Sequence, residues 1–399
     1  MQKRLLEANY RFRPPRPSRV WQWLLAPVRR HLVRRMYGVR DIDIRGSQHV
    51  RAALDSGHAV MFAINHPAHG DPFVTFEVMH RLRIPCCYLA AWQVFVGVFG
   101  LRGFAFQRLG AFSVDREGTD LRSFRTAVDI LATGRYSLVI YPEGEVYHLN
   151  DRVTPLREGA ATIALSADRR RRKANVGPVR IVPCAVKYFY LKDPTPILEA
   201  VMTRIEQHLY WRPRPRTPLH ERVYRVAEGL LALKELEYMS ALGRGSLPER
   251  LSALTEHILA GMERRRLGKN GRGTVAERVK TLRQDVLKAL PDAAPATDDH
   301  TDLDALHLVT QLSSYPGDYV AKEPSIERIA ETIDKLEEDA LGAVNAGARM
   351  PRRAIVSFGE PLDLEEAAEG LSGRAAAAPI TTRIEQTLQA QLDSISSAP

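Results

Sequence analysis

The chain predicts an α/β fold: a sheet flanked by helices, with a large all-helical insertion before the last strand. Three observations carry that prediction. Short apolar runs alternate with amphipathic stretches from residue 41 to about 196. From 197 to 350 only helical periodicity persists. One more apolar run, 354–358, follows the helical stretch and is closed by Gly359, so a late strand can return to the sheet.

Taken in order, residues 59–64 read as a strand ending in a loop, 74–82 as a helix, and 84–89 and 111–114 as strands. Residues 121–133 read as a helix closed by Gly134, followed by a strand at 136–141, a helix at 160–167 and a strand at 180–188. Beyond Pro194 and Pro196, Val223, Val226, Leu230 and Leu233 recur at helical spacing. So do Leu251, Leu254, Ile258 and Met262; Val275, Val279, Leu282 and Val286; and Ile326, Ile329, Ile333 and Leu336. Residues 292–304 read as an exposed linker and 384–392 as a terminal helix, and no internal repeat of fixed period is expected. The resulting division is an arm (1–40), a core (41–196), the helical insertion (197–350), and a returning strand with its helix (351–399).

The 399 residues hold 57 Lys and Arg against 47 Asp and Glu, a formal charge of +10. Residues 1–40 contain eleven of those basic residues and one acid, Glu7, so the rest of the chain is balanced. Within the arm, Trp21, Leu25, Val28, Leu32 and Met36 fall on one helical face, with Arg29, Arg30, Arg34 and Arg35 opposed and Pro27 at the helix start. Tryptophan and apolar residues backed by arginines suit an interfacial helix on an anionic membrane surface. The same pattern also fits a helix packed on the core with its arginines solvated. No nucleic-acid partner is expected, because no base-reading motif accompanies the charge.

Three cysteines, two of them adjacent (Cys86 and Cys87), make neither a disulfide framework nor a metal spacing. The longest apolar stretch, 88–101, is too short to span a bilayer. It carries Trp92, Phe95 and Phe99, which could line an acyl groove or simply fill the core. The expectation is a cytoplasmic protein, peripheral on the inner membrane face, without a signal peptide or transmembrane segment. A second basic run, 169–173, reads as a solvated loop or a contact for an anionic carrier.

The sharpest chemical signal is Asn65-His66-Pro67-Ala68-His69-Gly70-Asp71-Pro72, just after a strand. Four residues separate His66 from Asp71, so a loop can fold the carboxylate onto one imidazole nitrogen and leave the other to take a proton. Two other readings stay open. Asp71-Pro72 suits a helix start, with Asp as N-cap. His66, His69 and Asp71 could also ligate a metal.

Four blocks in order resemble the glycerolipid acyltransferase family, which includes the 1-acylglycerol-3-phosphate acyltransferases. His66 and Asp71 fill the H-x-x-x-x-D motif, and Gly110 to Arg116 matches the second block. Tyr141-Pro142-Glu143-Gly144 matches the third, and Val182-Pro183-Cys184-Ala185-Val186 the fourth. Phe358-Gly359-Glu360-Pro361 is similar to the family's closing strand.

The resemblance implies the family's mixed sheet and direct acyl transfer to a glycerolipid hydroxyl, with His66 as general base and Asp71 orienting it. The donor would be acyl-CoA or acyl carrier protein, with no bound cofactor and no metal. Arg116, Glu143 and Gly144 would position the acceptor. Where the family continues Thr-Arg, this chain has Glu145-Val146, so Arg152 or Arg157 is expected to take over the acceptor phosphate. The alternatives are a non-catalytic lipid-binding or scaffold protein on the same fold, and a metal-dependent hydrolase. Oligomeric state is not read from the sequence.

Overall fold

In a computed structural model, the structure describes residues 10–96, 101–116, 120–289, 297–342 and 346–396. Helices α1 (Arg19–Leu24) and α2 (Ala26–His31) run into a π-helical turn, Leu32–Met36. There follow β1 (Val39–Arg45), α3 (Ser47–Asp55), β2 (Ala59–Ile64), α4 (Asp71–Leu82), β3 (Cys86–Ala91), α5 (Leu101–Arg108) and β4 (Ala111–Val114). Next come α6 (Leu121–Thr133), β5 (Ser137–Ile140), α7 (Gly159–Lys173) and β6 (Val179–Tyr190). Helices α8 (Thr195–His208), α9 (Leu219–Met239), α10 (Leu247–Leu267) and α11 (Val275–Ala289) precede α12 (Thr297–Ser313), α13 (Tyr319–Lys322) and α14 (Ile326–Leu341). The described chain closes with β7 (Arg352–Phe358), β8 (Leu362–Asp363), α15 (Leu364–Ala367) and α16 (Ala377–Ser396).

The strands form one mixed sheet in the order β1-β7-β6-β2-β5-β3-β4, with β8 paired to β6. All pairings are parallel except β6 with β7 and with β8. The central strand β2 is buried along its whole length. Ala59, Met61 and Ala63 pack with residues of α6, α7 and α16, such as Leu131, Ala164 and Leu388. Val60, Phe62 and Ile64 pack on the other face with α3 and α4. An uninterrupted apolar run is what a strand covered on both faces requires.

The late strand returns as expected, inserting between β1 and β6. The second basic run is not a loop: Arg169 to Lys173 completes α7. Arg171 is buried and donates to the carbonyls of Gly57, Leu131, Ala132 and Gly177. Arg170 pairs with Asp129, and Arg172 with Asp168 and Glu365. These charges serve carbonyls and carboxylates of the chain itself. The expected linker is also shorter, because α12 begins at Thr297; residues 290–296 lie outside the described chain.

Pro194–Ala346 forms its own compact unit. Contrary to the expectation of no repeat, it contains one. Arg222, Arg250 and Arg278 lie 28 residues apart, each preceded by Glu221, Glu249 and Glu277. Val226, Leu254 and Leu282 keep the same period and are each fully buried. Two copies share Gly-Arg-Gly-(Ser/Thr)-x-x-Glu-Arg, at 243–250 and 271–278. Each arginine forks onto a glutamate near the end of the preceding helix. Arg222 binds Glu206 at 2.7 Å, Arg250 binds Glu235 at 2.7 Å, and Arg278 binds Glu263 at 2.8 Å. Each pair uses Nε and Nη2 against the two carboxylate oxygens, a bidentate geometry that fixes the angle between successive helices.

Hydrogen bonds from Arg250 and Arg278 hold the Glu235 and Glu263 carboxyls below their ordinary range. Depressed carboxyl values stabilise the folded state above the unfolded value and lose that contribution as pH falls through the folded one. The expected result concerns the double variant Glu235→Gln/Glu263→Gln. Its deficit in melting temperature is largest at neutral pH and closes as pH drops below about 4. A deficit independent of pH would contradict this account.

Candidate active site

The parallel strands β2, β4 and β5 all end on one edge of the sheet, and the four motif blocks leave from that edge or lie along β6 beside it. β2 stops at Ile64, opposite Cys184, while β6 runs on to Tyr190. Past that point two asparagine amides act as substitute peptide units. The Asn65 side chain donates to Val186 O at 3.0 Å and accepts from Val186 N–H at 2.7 Å. Asn150 does the same for Tyr188, at 2.8 and 2.7 Å. These bonds satisfy buried backbone groups that no strand reaches, and they fix Tyr188 over the loop.

Within the loop, the His66 N–H donates to Glu143 Oε1 at 2.7 Å. The other Glu143 oxygen accepts from Thr154 N–H at 3.2 Å and from the Thr154 hydroxyl. Burial raises the Glu143 carboxyl, offset in part by these donors. Glu143 is therefore a buried tie between the His66 loop and the Thr154 segment.

His66 Nδ1 lies 2.7 Å from Asp71 Oδ2. Asp71 is fully buried, and the His66 side chain is 14% exposed. The same Asp71 oxygen accepts from Ala68 N–H at 2.9 Å, and Oδ1 accepts from the Tyr188 hydroxyl at 2.5 Å. An ionised carboxylate can only accept, so this pairing puts the ring proton on Nδ1 and leaves Nε2 with a free lone pair. Burial, followed by the Asp71 charge, pushes the Tyr188 phenol well up, so it remains a donor. Tyr141 stacks on the imidazole with centroids 4.3 Å apart. Asp71 opens α4 with Pro72 behind it, but Gly70 is the N-cap and no side chain caps the helix; the Asp71 carboxylate is turned to His66 instead.

His69 does not join this pair. Its ring meets His148 edge-on at 5.3 Å, and among the described residues His66, His69 and Asp71 do not converge as a ligand set. Burial raises the thiols of Cys86, Cys87 and Cys184, that of Cys87 to about 12, so none supplies a thiolate at neutral pH.

Gly144 sits at φ +81°, and a Cβ there would lie 2.6 Å from Arg157 Nε. Its carbonyl accepts from Arg116, whose guanidinium also pairs with Glu145 at 2.9 Å. Arg157 Nε is buried and has no hydrogen-bond partner among the described residues. Arg152 is exposed to solvent, so the cations against the Gly144 turn are Arg116 and Arg157. Sequence reading did not single out Tyr188 or Asn150. The only sign of either was a strand extending past its neighbour.

Part of the 88–101 stretch, 97–100 with Phe99, lies outside the described residues. Phe95 is buried in the core, and Trp92 lies near Tyr10 with ring centroids 6.3 Å apart. In the arm, Arg29 is buried at 2% exposure and bound to Glu77 at 3.2 Å, not opposed to the apolar face. Trp21 packs on Phe104, with centroids 5.1 Å apart, while Trp23 is 72% exposed alongside Val20, Leu24 and Val28. Among the described residues, no helix is long and apolar enough to cross a membrane.

A family model described as Acyltransferase matches residues 41–187. No curated protein matches the chain. The match begins in β1, spans all four motif blocks and ends one residue before Tyr188. Residues 41–187, which carry β2 to β5 and the His66 loop, are thus similar to the Acyltransferase family over 147 of the 399 residues.

Proposed function

We propose that the chain moves a fatty acyl group from a thioester, acyl-CoA or acyl carrier protein, directly onto the hydroxyl of a glycerol phosphate or lysophospholipid. The observation that carries this reading is the 2.7 Å contact between His66 Nδ1 and the fully buried Asp71 carboxylate, with the imidazole partly open to solvent. His66 Nε2 takes the hydroxyl proton as the oxygen attacks the thioester carbonyl. The tetrahedral adduct then expels the thiolate, which recovers that proton from the imidazolium. A thiolate leaves more readily than an alkoxide, so no second acid is required opposite the base. The raised cysteine thiols favour direct transfer over a thiol-bound intermediate.

In this reading Arg116 and Arg157 meet the acceptor phosphate, since a guanidinium fork matches its oxygens. Gly144 allows the close approach, and Glu143 holds the loop beneath it. Arg152, exposed and downstream of the turn, is the further cation proposed to reach the same phosphate from solvent. Glu145 restrains Arg116 where a phosphorylated acceptor would compete for the same donors. We therefore expect Glu145→Gln to lower KM for phosphomonoester acceptors roughly 2–5-fold, the scale of a partly exposed ion pair, with kcat unchanged. KM for an uncharged acceptor would stay the same. Equal changes for both acceptors would remove Glu145 from acceptor selection.

The exposed Val20, Trp23, Leu24 and Val28, set among arginines, support contact of the arm with an anionic bilayer. The experiment that tests the whole reading is a donor–acceptor matrix. Acyl-CoA and acyl carrier protein thioesters are crossed with glycerol 3-phosphate and several lysolipids, with ester product measured. Transfer in at least one cell is expected, and no ester in any cell would refute the reading.

A further inference from the structure

Four arginines from four elements surround a cavity of about 300 Å³ on the arm side of the sheet. Arg30 comes from α2, Arg34 from the π-helical turn, Arg40 from β1 and Arg81 from α4. Apolar side chains, Val33 and Ile42 among them, line the rest. The cavity has one carboxylate, Glu77, with a side chain 4% exposed and already committed. It pairs with Arg29 and Arg81, each at 3.2 Å, and with Arg30 at 3.7 Å. Arg34 and Arg40 have no ion-pair partner among the described residues.

The local balance is therefore strongly positive. All four guanidinium groups reach solvent, Arg30 at 59% and Arg81 at 46% exposure, so their mutual repulsion is screened, and an anion with several oxygens can enter among them and neutralise the patch. Arginine forks suit tetrahedral oxyanions, and the volume exceeds that of a bare phosphate, leaving room for the alcohol it esterifies. The buried Arg29–Glu77 pair pins α2 to α4 and so presets the cavity without ligand. Arg81 is ten residues along α4 from Asp71, on the order of 15 Å at helical rise, so this cavity is separate from the His66 site.

We infer that the cavity lined by Arg30, Arg34, Arg40 and Arg81 is a second anion site, which binds the phosphate of a phosphate ester. The ester is either a lipid headgroup in a bilayer or a small soluble molecule. The inference does not rest on the acyl-transfer reading. The test uses the full chain, the double variant Arg34→Gln/Arg40→Gln, a charge-matched control Arg122→Gln/Arg125→Gln, and His66→Ala. Binding of inorganic phosphate and glycerol 3-phosphate is measured by calorimetry. Binding to phosphatidylcholine vesicles with and without phosphatidate is measured by sedimentation.

The wild type is expected to saturate with at least one phosphate probe. Arg34→Gln/Arg40→Gln weakens that binding about 10-fold or more, as loss of two charge-assisted contacts predicts. The control and His66→Ala leave it unchanged, and thermal melting is unaltered because neither arginine is ion-paired. Loss confined to phosphatidate vesicles identifies a headgroup, and loss with the soluble probes identifies a soluble ester. Equal loss in the two double variants, or no saturable binding of any probe by the wild type, would overturn the inference.

Discussion

Replacing His66 by alanine is expected to lower the rate of acyl transfer on the order of 100–10,000-fold, the range for a positioned general base. The circular dichroism spectrum and melting temperature should be retained, because the buried anchor of the loop is Asp71, not the part-exposed imidazole. Neighbouring substitutions should fall in a graded series. Asp71→Asn keeps an oxygen toward Ala68 N–H and Nδ1 but removes the buried negative charge that steadies the imidazolium as His66 takes the proton, so its loss approaches that of His66→Ala. Tyr188→Phe removes one of three donors to Asp71 and leaves the His66 contact in place, so its loss is smaller. Initial rates on the best donor–acceptor pair decide the order. Full activity in His66→Ala would remove it from the chemistry, and a Tyr188→Phe loss equal to that of Asp71→Asn would place Tyr188 beside the reaction itself.

The largest effect on stability is expected from Arg222→Ala. Arg222 and Glu206 are both fully buried, and Arg222 also donates to Thr203 Oγ1 at 3.0 Å. Removing the guanidinium leaves a buried carboxylate facing a void, with the part-exposed Arg225 at 3.4 Å as the one remaining cation among the described residues. Breaking a buried pair in this way costs about 3–5 kcal/mol. For a unit of this size that corresponds to a melting shift on the order of 10 °C. Arg250→Ala is the informative comparison, because it repeats the pair with 15% exposure at the arginine and should cost less. If the two variants melted together within error, burial would not be what sets the strength of these pairs.

The His66 loop was legible because its information is local. Asn65 through Pro72 names a strand end, a turn, a helix start and a His–Asp spacing within eight residues. The alternation that predicted the sheet was equally local, and β4 and α6 fell where the apolar periods placed them. What the sequence concealed depends on contacts between distant segments. Asn150 clamps Tyr188 from 38 residues away, and Glu143 holds His66 from 77. Arg29 fits a solvated face by periodicity, but Glu77 in α4 offers a buried partner, and that contact overrides the helical wheel. Arg171 is another case: charge density suggested a loop, while carbonyls from three other segments capture the guanidinium inside the fold.

The 28-residue repeat was hidden for a different reason. Its hydrophobic positions look like ordinary helical periods one helix at a time, and the first copy replaces Gly-Arg-Gly with Pro215-Arg216-Thr217, with Glu206 one residue further back. The recurring Arg–Glu forks make the period visible, since each copy solves the same junction between helices with the same two charges.

The most direct test of the central claim, direct transfer driven by His66, is a single-turnover experiment. Enzyme in excess is mixed with radiolabelled acyl thioester and acceptor, then quenched in acid. The account predicts that label passes from thioester to lipid ester with none retained on the protein, and that thiol is released only when the acceptor hydroxyl is present. Label bound covalently to the chain before ester appears, or thiol released at the same rate without acceptor, would contradict it.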